Sequence, residues 1–171
     1  MPGNRALYDR AMEQSRDAAR QKNWEEALKQ AVRALQEFPQ DADARSSAAV
    51  ALFNTSKFPQ ALQIFEELRA SDPNNPFFLE YIARTHEQMD SVTQAVAAYT
   101  QLADLQLSRR LQGRAIDALR DVLRLRASNI DARARLARLL EDVGSLNEAA
   151  NEYLIIAQER QSAGQLEEIP A

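Results

Sequence analysis

Apolar and small residues recur along the chain at helical spacing. Ala27, Ala31, Ala34 and Leu35 fall at i, i+4, i+7 and i+8, which is one face of a helix. The stretch 23–41, "NWEEALKQAVRALQEFPQD", repeats in outline as "KFPQALQIFEELRASDPNN" at 57–75. Trp24 pairs with Phe58, Ala27 with Ala61, Ala31 with Phe65 and Pro39 with Pro73, each 34 residues on. A second amphipathic stretch precedes each helix of this kind, as in "RSSAAVALFNTSK" and "LEYIARTHEQMD". The pattern predicts two-helix units, each stacked on its neighbours. Pro39 and Pro73 are expected to end their helices, because proline cannot donate and pushes the residue before it out of helical geometry.

The small residue at the head of the stripe follows its own ladder: Ala27, Ala61, Ala95, Ala115 and Ala149. The steps are 34, 34, 20 and 34 residues. The short step omits one helix and a turn. "AYTQLADLQLSRR" must therefore close the third unit and open the fourth. As a closing helix its core face is Ala95, Tyr99, Leu102 and Ala103; as an opening helix it is Tyr99, Leu102, Ala103 and Gln106. The expected units are 8–41, 42–75, 76–109, 96–129 and 130–163. A further unit would start with Tyr153, Ile156 and Ala157, turn at Gly164 and stop at Pro170 within 164–171. This implies either a longer natural array or an edge that docks on something; the alternative is that those residues pack only on their own unit.

These residues resemble the tetratricopeptide repeat. That family carries a Leu–Gly pair early in the unit, an Ala at the twentieth position, an aromatic four later and a terminal Pro. Ile82–Ala83, Leu102–Ala103 and Leu136–Ala137 stand for the early pair, and the five Ala stand for the central one. Ser15, Ala49 and Ala83 replace the early Gly, and the third to fifth units lack the Pro. The resemblance spans about residues 8–165. It implies an all-α, right-handed α-solenoid of stacked helix-turn-helix repeats, with about 9–10 helices in a single domain over 1–171. It also implies a non-catalytic scaffold that binds a peptide or partner protein in its concave groove. The groove positions carried over are Arg16, Arg20, Val50, Phe53, Asn54, Phe77, Tyr81, Arg84, Arg135 and Arg138. Aromatic residues there would anchor a partner, and the Arg side chains would hold a carboxylate. Phe77 has a rival reading, as a staple for its own helix start. Tyr153, Ile156 and Ala157 form a possible second surface at the C-terminal edge. Members that grip acidic chaperone tails use Lys and Asn at positions matched here by Met12, Arg16, Ser47, Phe77 and Tyr81. Only Arg16 is basic, so heat-shock chaperone tails are not expected partners.

Composition narrows the rest. With 45% hydrophobic and 27% charged residues, four Gly and six Pro, the chain reads as folded and helical. No Cys excludes disulfides and thiolate chemistry. The lone His86, expected to be packed and hydrogen-bonded, makes a transition-metal site improbable. There is no glycine-rich phosphate loop; Gly113, Gly144 and Gly164 are expected in inter-helix turns. No enzyme, no cofactor and no membrane insertion are expected, and the default location is cytoplasmic. Residues 109–138 hold nine Arg and three Asp, a net of +6, whereas 139–171 net −6. The mixed signs read mainly as a solvated, ion-paired face. The other reading is a patch for an acidic partner or a phosphate, with Arg109, Arg110, Arg135 and Arg138 contributing; nucleic acid is not an expected partner. A structural or assembly role, by self-association into homo-oligomers or as part of a longer array, is the alternative function.

Overall fold

A computed structural model describes residues 3–167, with side chains through Ser162. The described residues contain nine helices and no strand: α1 Arg5–Arg20, α2 Trp24–Glu37, α3 Ala42–Asn54, α4 Phe58–Ser71, α5 Pro76–Gln88, α6 Val92–Ser108, α7 Gln112–Leu125, α8 Ile130–Asp142 and α9 Leu146–Glu167. The expected stop at Pro170 lies outside the described residues.

The chain divides into two compact units between Ser91 and Val92. In the first, α1 packs on α2, α2 on α3, α3 on α4 and α4 on α5. In the second, α6 packs on α7, α7 on α8 and α8 on α9. Within each unit, neighbours in sequence are neighbours in space, which is the contact pattern of a helical repeat.

The alanine ladder is the core of these contacts. Ala27, Ala61, Ala95, Ala115 and Ala149 are all buried. With only a methyl group at these points, the helix backbones approach closely. The larger neighbours fill the space beside them: Phe65, Leu119 and Leu136 are among the most fully buried side chains. In the first unit, Tyr8, Ala11, Met12, Ala34 and Ala44 form one apolar cluster against Leu35 and Phe38.

The turns follow the same arithmetic. Lys22, Ser56, Asp90, Arg110 and Gly144 have positive φ, between 55° and 81°. They stand 34, 34, 20 and 34 residues apart, each five before a ladder Ala. The next residue's N–H closes each turn on a carbonyl five back: Asn23 on Ala18, Lys57 on Leu52, Ser91 on His86, Leu111 on Gln106 and Ser145 on Leu140. This is the bond that satisfies orphan carbonyls when a helix ends in a left-handed residue. The glycine expectation needs correction. Only Gly144 occupies such a turn; Gly113 lies in the first turn of α7, and Gly164 lies inside α9. The α9 helix therefore continues through the point where a turn was expected.

The other kind of connection occurs at 38–41, 72–75 and 126–129. Phe38, Asp72 and Arg126 end their helices with extended φ and ψ of −132° and 85°, −135° and 78°, and −143° and 85°. Pro39 and Pro73 follow the first two, as proline's effect on its predecessor requires. Arg126 reaches the same geometry before Ala127. Asp41, Asn75 and Asn129 then cap the next helix, each accepting from a backbone N–H of the first turn. Across α6 no such connection intervenes, and the helix runs unbroken for 17 residues. Tyr99, Leu102, Ala103 and Gln106 on it are all buried.

His86 differs from its expectation. It is half-buried, and its Nδ1 has no hydrogen-bond partner among the described residues.

Candidate functional site

Three helices of the first unit bring five aromatic rings together. Phe53 sits near the end of α3, Phe58 and Phe65 lie seven residues apart on α4, and Phe77 and Tyr81 lie four apart on α5. Pro76 opens α5, and the Asn75 side chain accepts from the Phe77 N–H at 3.2 Å. That start sets the register in which Phe77, Tyr81 and Arg84 share one helix face. Tyr81 stacks on Phe65 with ring centroids 4.8 Å apart and meets Phe53 edge-on at 5.4 Å. Phe77 touches Tyr81 at 4.8 Å and Phe65 at 6.4 Å. Phe58 closes the edge of Phe53 at 5.6 Å. Edge-on and offset contacts at these distances are favourable for aromatic pairs.

Arg84 lies across this cluster. Its guanidinium carbon is 5.0 Å from the centroids of both Phe53 and Tyr81. Glu80 is 3.9 Å away, at the limit of an ion pair. A guanidinium packed on rings keeps its N–H donors in its own plane, directed past the rings. The cluster therefore offers a cation that its own rings hold in place. Phe77 leaves 40% of its surface exposed, whereas Phe53 keeps only 9%. Phe77, Tyr81 and Arg84 form the accessible surface, and Phe53 is the floor beneath Arg84.

The remaining sequence-derived positions are dispersed. Val50 is half-buried, and its carbonyl accepts from the exposed Asn54 side chain at 2.8 Å. Arg16 is exposed, and Arg20 is paired with Asp17 at 2.8 Å. Met12 is buried in the α1 cluster, so this position of the chaperone-tail pattern faces the core. In the second unit Arg135 pairs with Asp104 of α6, and Arg138 is exposed. The edge residues split: Ile156 is buried, while Tyr153 and Ala157 are exposed. The Tyr153 hydroxyl donates to Glu141 at 3.2 Å. Partial desolvation and then this hydrogen bond raise its phenol above the ordinary value.

Much of the Arg-rich block is used internally. Arg120 pairs with Glu148 at 2.6 Å, Arg124 with Asp121 at 2.9 Å, and Arg133 with Glu152 at 2.6 Å. A cleft of 570 Å³ beside α7 is lined by Arg114 and Arg120 but also by Asp117 and Glu148, so its charges balance. The sequence reading missed Arg133, which is buried and also donates to the Ala127 carbonyl at 2.8 Å. Arg45 on α3 is a similar case, tied to Glu67 on α4. Both bridge the two helices of one hairpin. Among the described residues, no group of three or more His, Cys, Asp or Glu is placed to hold a metal, and no helix is long and apolar enough to cross a membrane.

A family model of the tetratricopeptide repeat matches residues 12–76. Three solved structures are similar in fold. The TPR domain of Arabidopsis OM64 is 20% identical, with 74% of this chain and 99% of that one covered and a TM-score of 0.62. A thermophilic TPR protein of Thermus thermophilus is 18% identical, over 88% of this chain and 90% of that one, with a TM-score of 0.52. MamA from residue 41 onward, from Desulfovibrio magneticus RS-1, is 16% identical, over 95% of this chain and 98% of that one, with a TM-score of 0.50. No curated protein matches the chain. With the repeat spacing, the recurrent turns and the matched segment in agreement, residues 12–76 match the tetratricopeptide repeat and the chain shares the all-α helical-repeat fold of such proteins.

Proposed function

We propose that this chain is a non-catalytic scaffold of the cytoplasm, and that the aromatic face of its first unit holds a partner protein. In this reading the repeats are those bounded at 8–41, 42–75, 76–109, 96–129 and 130–163, with α6 serving two of them. The tetratricopeptide fold supports a protein-interaction role in general. The finer assignment rests on one observation: Arg84 is laid over Phe53 and Tyr81 beside the exposed Phe77. An apolar anchor next to a preoriented cation suits a peptide segment with an apolar side chain close to a carboxylate. Half-buried Val50 and exposed Asn54 would extend that surface, and Arg16 and Arg20 would contribute cations; Arg135 and Arg138 would be partner contacts of the second unit by itself.

The test begins with cross-linking and mass spectrometry in the native lysate to identify the partner. Its affinity is then measured for Phe77→Ala and Arg84→Glu. Loss of at least about tenfold in either, with unfolding unchanged, supports the reading. Unchanged affinity in the double variant would falsify it.

A further inference from the structure

Helix α9 carries a face that every earlier helix of its kind has covered. Four residues after the ladder Ala stand Ala31, Phe65, Tyr99 and Leu119, all buried; the fifth, Tyr153, is 41% exposed. One residue after the ladder Ala, Leu28 and Leu62 are half-buried and Val96 and Ile116 buried, whereas Ala150 is exposed. Eight after it, Leu35, Arg69 and Leu123 are half-buried and Ala103 buried, whereas Ala157 is exposed. Leu146, at the start of the stripe, is 63% exposed. At the other end, α1 treats its outer face differently. Arg10, Gln14 and Asp17 are exposed, where the equivalent Ala44, Ala48 and Ala51 of α3 are buried. The exposed face of α1 carries polar residues here, and that of α9 carries apolar ones.

The uncovered residues have an order. Leu146, Ala150, Tyr153 and Ala157 are spaced four, three and four apart, which is the seam spacing of a coiled coil. Large and small side chains alternate along it. A second α9 running antiparallel brings Leu146 against Ala157 and Tyr153 against Ala150, twice each across a twofold axis. A parallel pairing would set Leu on Leu and Tyr on Tyr, and leave facing Ala residues with a gap. The charges favour the same orientation. The next seam position is the exposed Arg160, and antiparallel pairing brings it beside Glu141 and Asp142 of the other copy. A surface that is its own complement under a twofold rotation is what an isologous dimer requires.

We infer that α9 is a self-association surface, and that its occupant is the α9 helix of a second copy of this chain, packed antiparallel along Leu146, Ala150, Tyr153 and Ala157. Two crossed helices make a small interface, so the dimer is a weak one. The inference is independent of the aromatic face. Arg84→Glu leaves dimerisation unchanged, so either idea can fail alone.

Sedimentation of the full chain from about 1 µM to 1 mM should show a monomer–dimer equilibrium. Ala150→Arg and Ala157→Arg, both at exposed positions, should raise the dissociation constant by about tenfold or more without altering thermal unfolding. Orientation is read by disulfide trapping, because the chain has no Cys of its own. Mixed Leu146→Cys and Ala157→Cys chains should oxidise to a mixed dimer, while each variant alone stays mostly uncross-linked. A monomer across the whole range overturns the proposal. So does Leu146→Cys cross-linking to itself as efficiently as to Ala157→Cys, which is the parallel outcome. Dimerisation unaffected by the two Arg variants places the interface elsewhere and overturns it too.

Discussion

Arg84 rests on Phe53: its guanidinium carbon stands 5.0 Å from the ring centroid, and the ring beneath it is 9% exposed. The two residues come from α5 and α3 and play different parts. Phe53→Ala should remove a packed ring and cost about 3 kcal/mol or more in urea unfolding. Arg84→Gln should cost about 1 kcal/mol or less, the scale of a partly exposed cation–ring contact. Equal costs for the two would place Phe53 at the surface and contradict the packing. Binding is therefore best probed at Arg84 and Phe77 rather than at Phe53.

The turns allow a test with opposite signs. Arg110 has φ of 60° in the hairpin between α6 and α7, where an L side chain is strained. Arg110→Gly should stabilise the chain by about 0.5–1 kcal/mol. Gly144 has φ of 81° at the equivalent place, and a Cβ there meets nothing within 4 Å. Gly144→Ala should therefore destabilise by about 1 kcal/mol through backbone strain alone. Paired thermal melts decide it, and a gain in stability for Gly144→Ala would contradict the turn geometry.

The ladder of Ala residues made the all-α fold and its buried helix crossings readable in the sequence, because close helix packing tolerates little else at that point. The 20-residue step was readable for the same reason. Gly113 misled because the left-handed turn residue need not be glycine: Lys22, Ser56, Asp90 and Arg110 all take it, and the closing backbone bond is what recurs. Phe53 was placed on a groove by its resemblance to the family's groove positions. Its burial comes from Phe58 and Tyr81, on other helices, and no periodicity within α3 reports that. The exposure of Tyr153 was equally hidden, since its sequence environment matches that of Tyr99, which is buried.

Tyr8 and Asp41 give a pH signature. The Tyr8 hydroxyl donates to Asp41 Oδ1 at 2.5 Å, and Asp41 also caps α3 through the Ala44 N–H at 2.9 Å. Burial, and after it this hydrogen bond, push the Tyr8 phenol from 10.0 up to about 12. Below about pH 10 both states keep the proton, and the stabilisation is complete. Between about pH 10 and 12 the unfolded chain loses the proton and the folded chain holds it. Stability should then fall by up to about 1.4 kcal/mol per pH unit from this group. Tyr8→Phe should cost about 1 kcal/mol at about pH 8 and show a shallower decline above about pH 10. Parallel alkaline profiles for the two chains would exclude the linkage.

Arg133 and Glu152 tie α8 to α9 from the inside. Arg133 donates to Glu152 Oε2 at 2.6 Å and to the Ala127 carbonyl at 2.8 Å, and its side chain is almost fully buried. Glu152→Ala would leave a guanidinium buried without its counter-charge, at a cost of about 3 kcal/mol. The double variant Arg133→Met with Glu152→Leu should recover most of that loss, because apolar residues of similar size carry no desolvation penalty. A double variant as unstable as Glu152→Ala would show that the pair does more than neutralise itself.

Ala95 and Ala97 separate the ladder from mere helix composition. Both lie on α6, two residues apart, and each could carry a leucine without loss of helix propensity. Ala95 is fully buried at a helix crossing, whereas Ala97 is exposed. Ala95→Leu must push packed helices apart and should cost about 1–3 kcal/mol. Ala97→Leu should change stability by less than about 0.5 kcal/mol. The same comparison at Ala115 tests the 20-residue step. If α6 and α7 pack at the ladder as the other hairpins do, Ala115→Leu should be as costly as Ala61→Leu. A tolerated leucine at 115 would mean that the fourth rung is not a helix crossing, and that the step of 20 is only a coincidence of sequence.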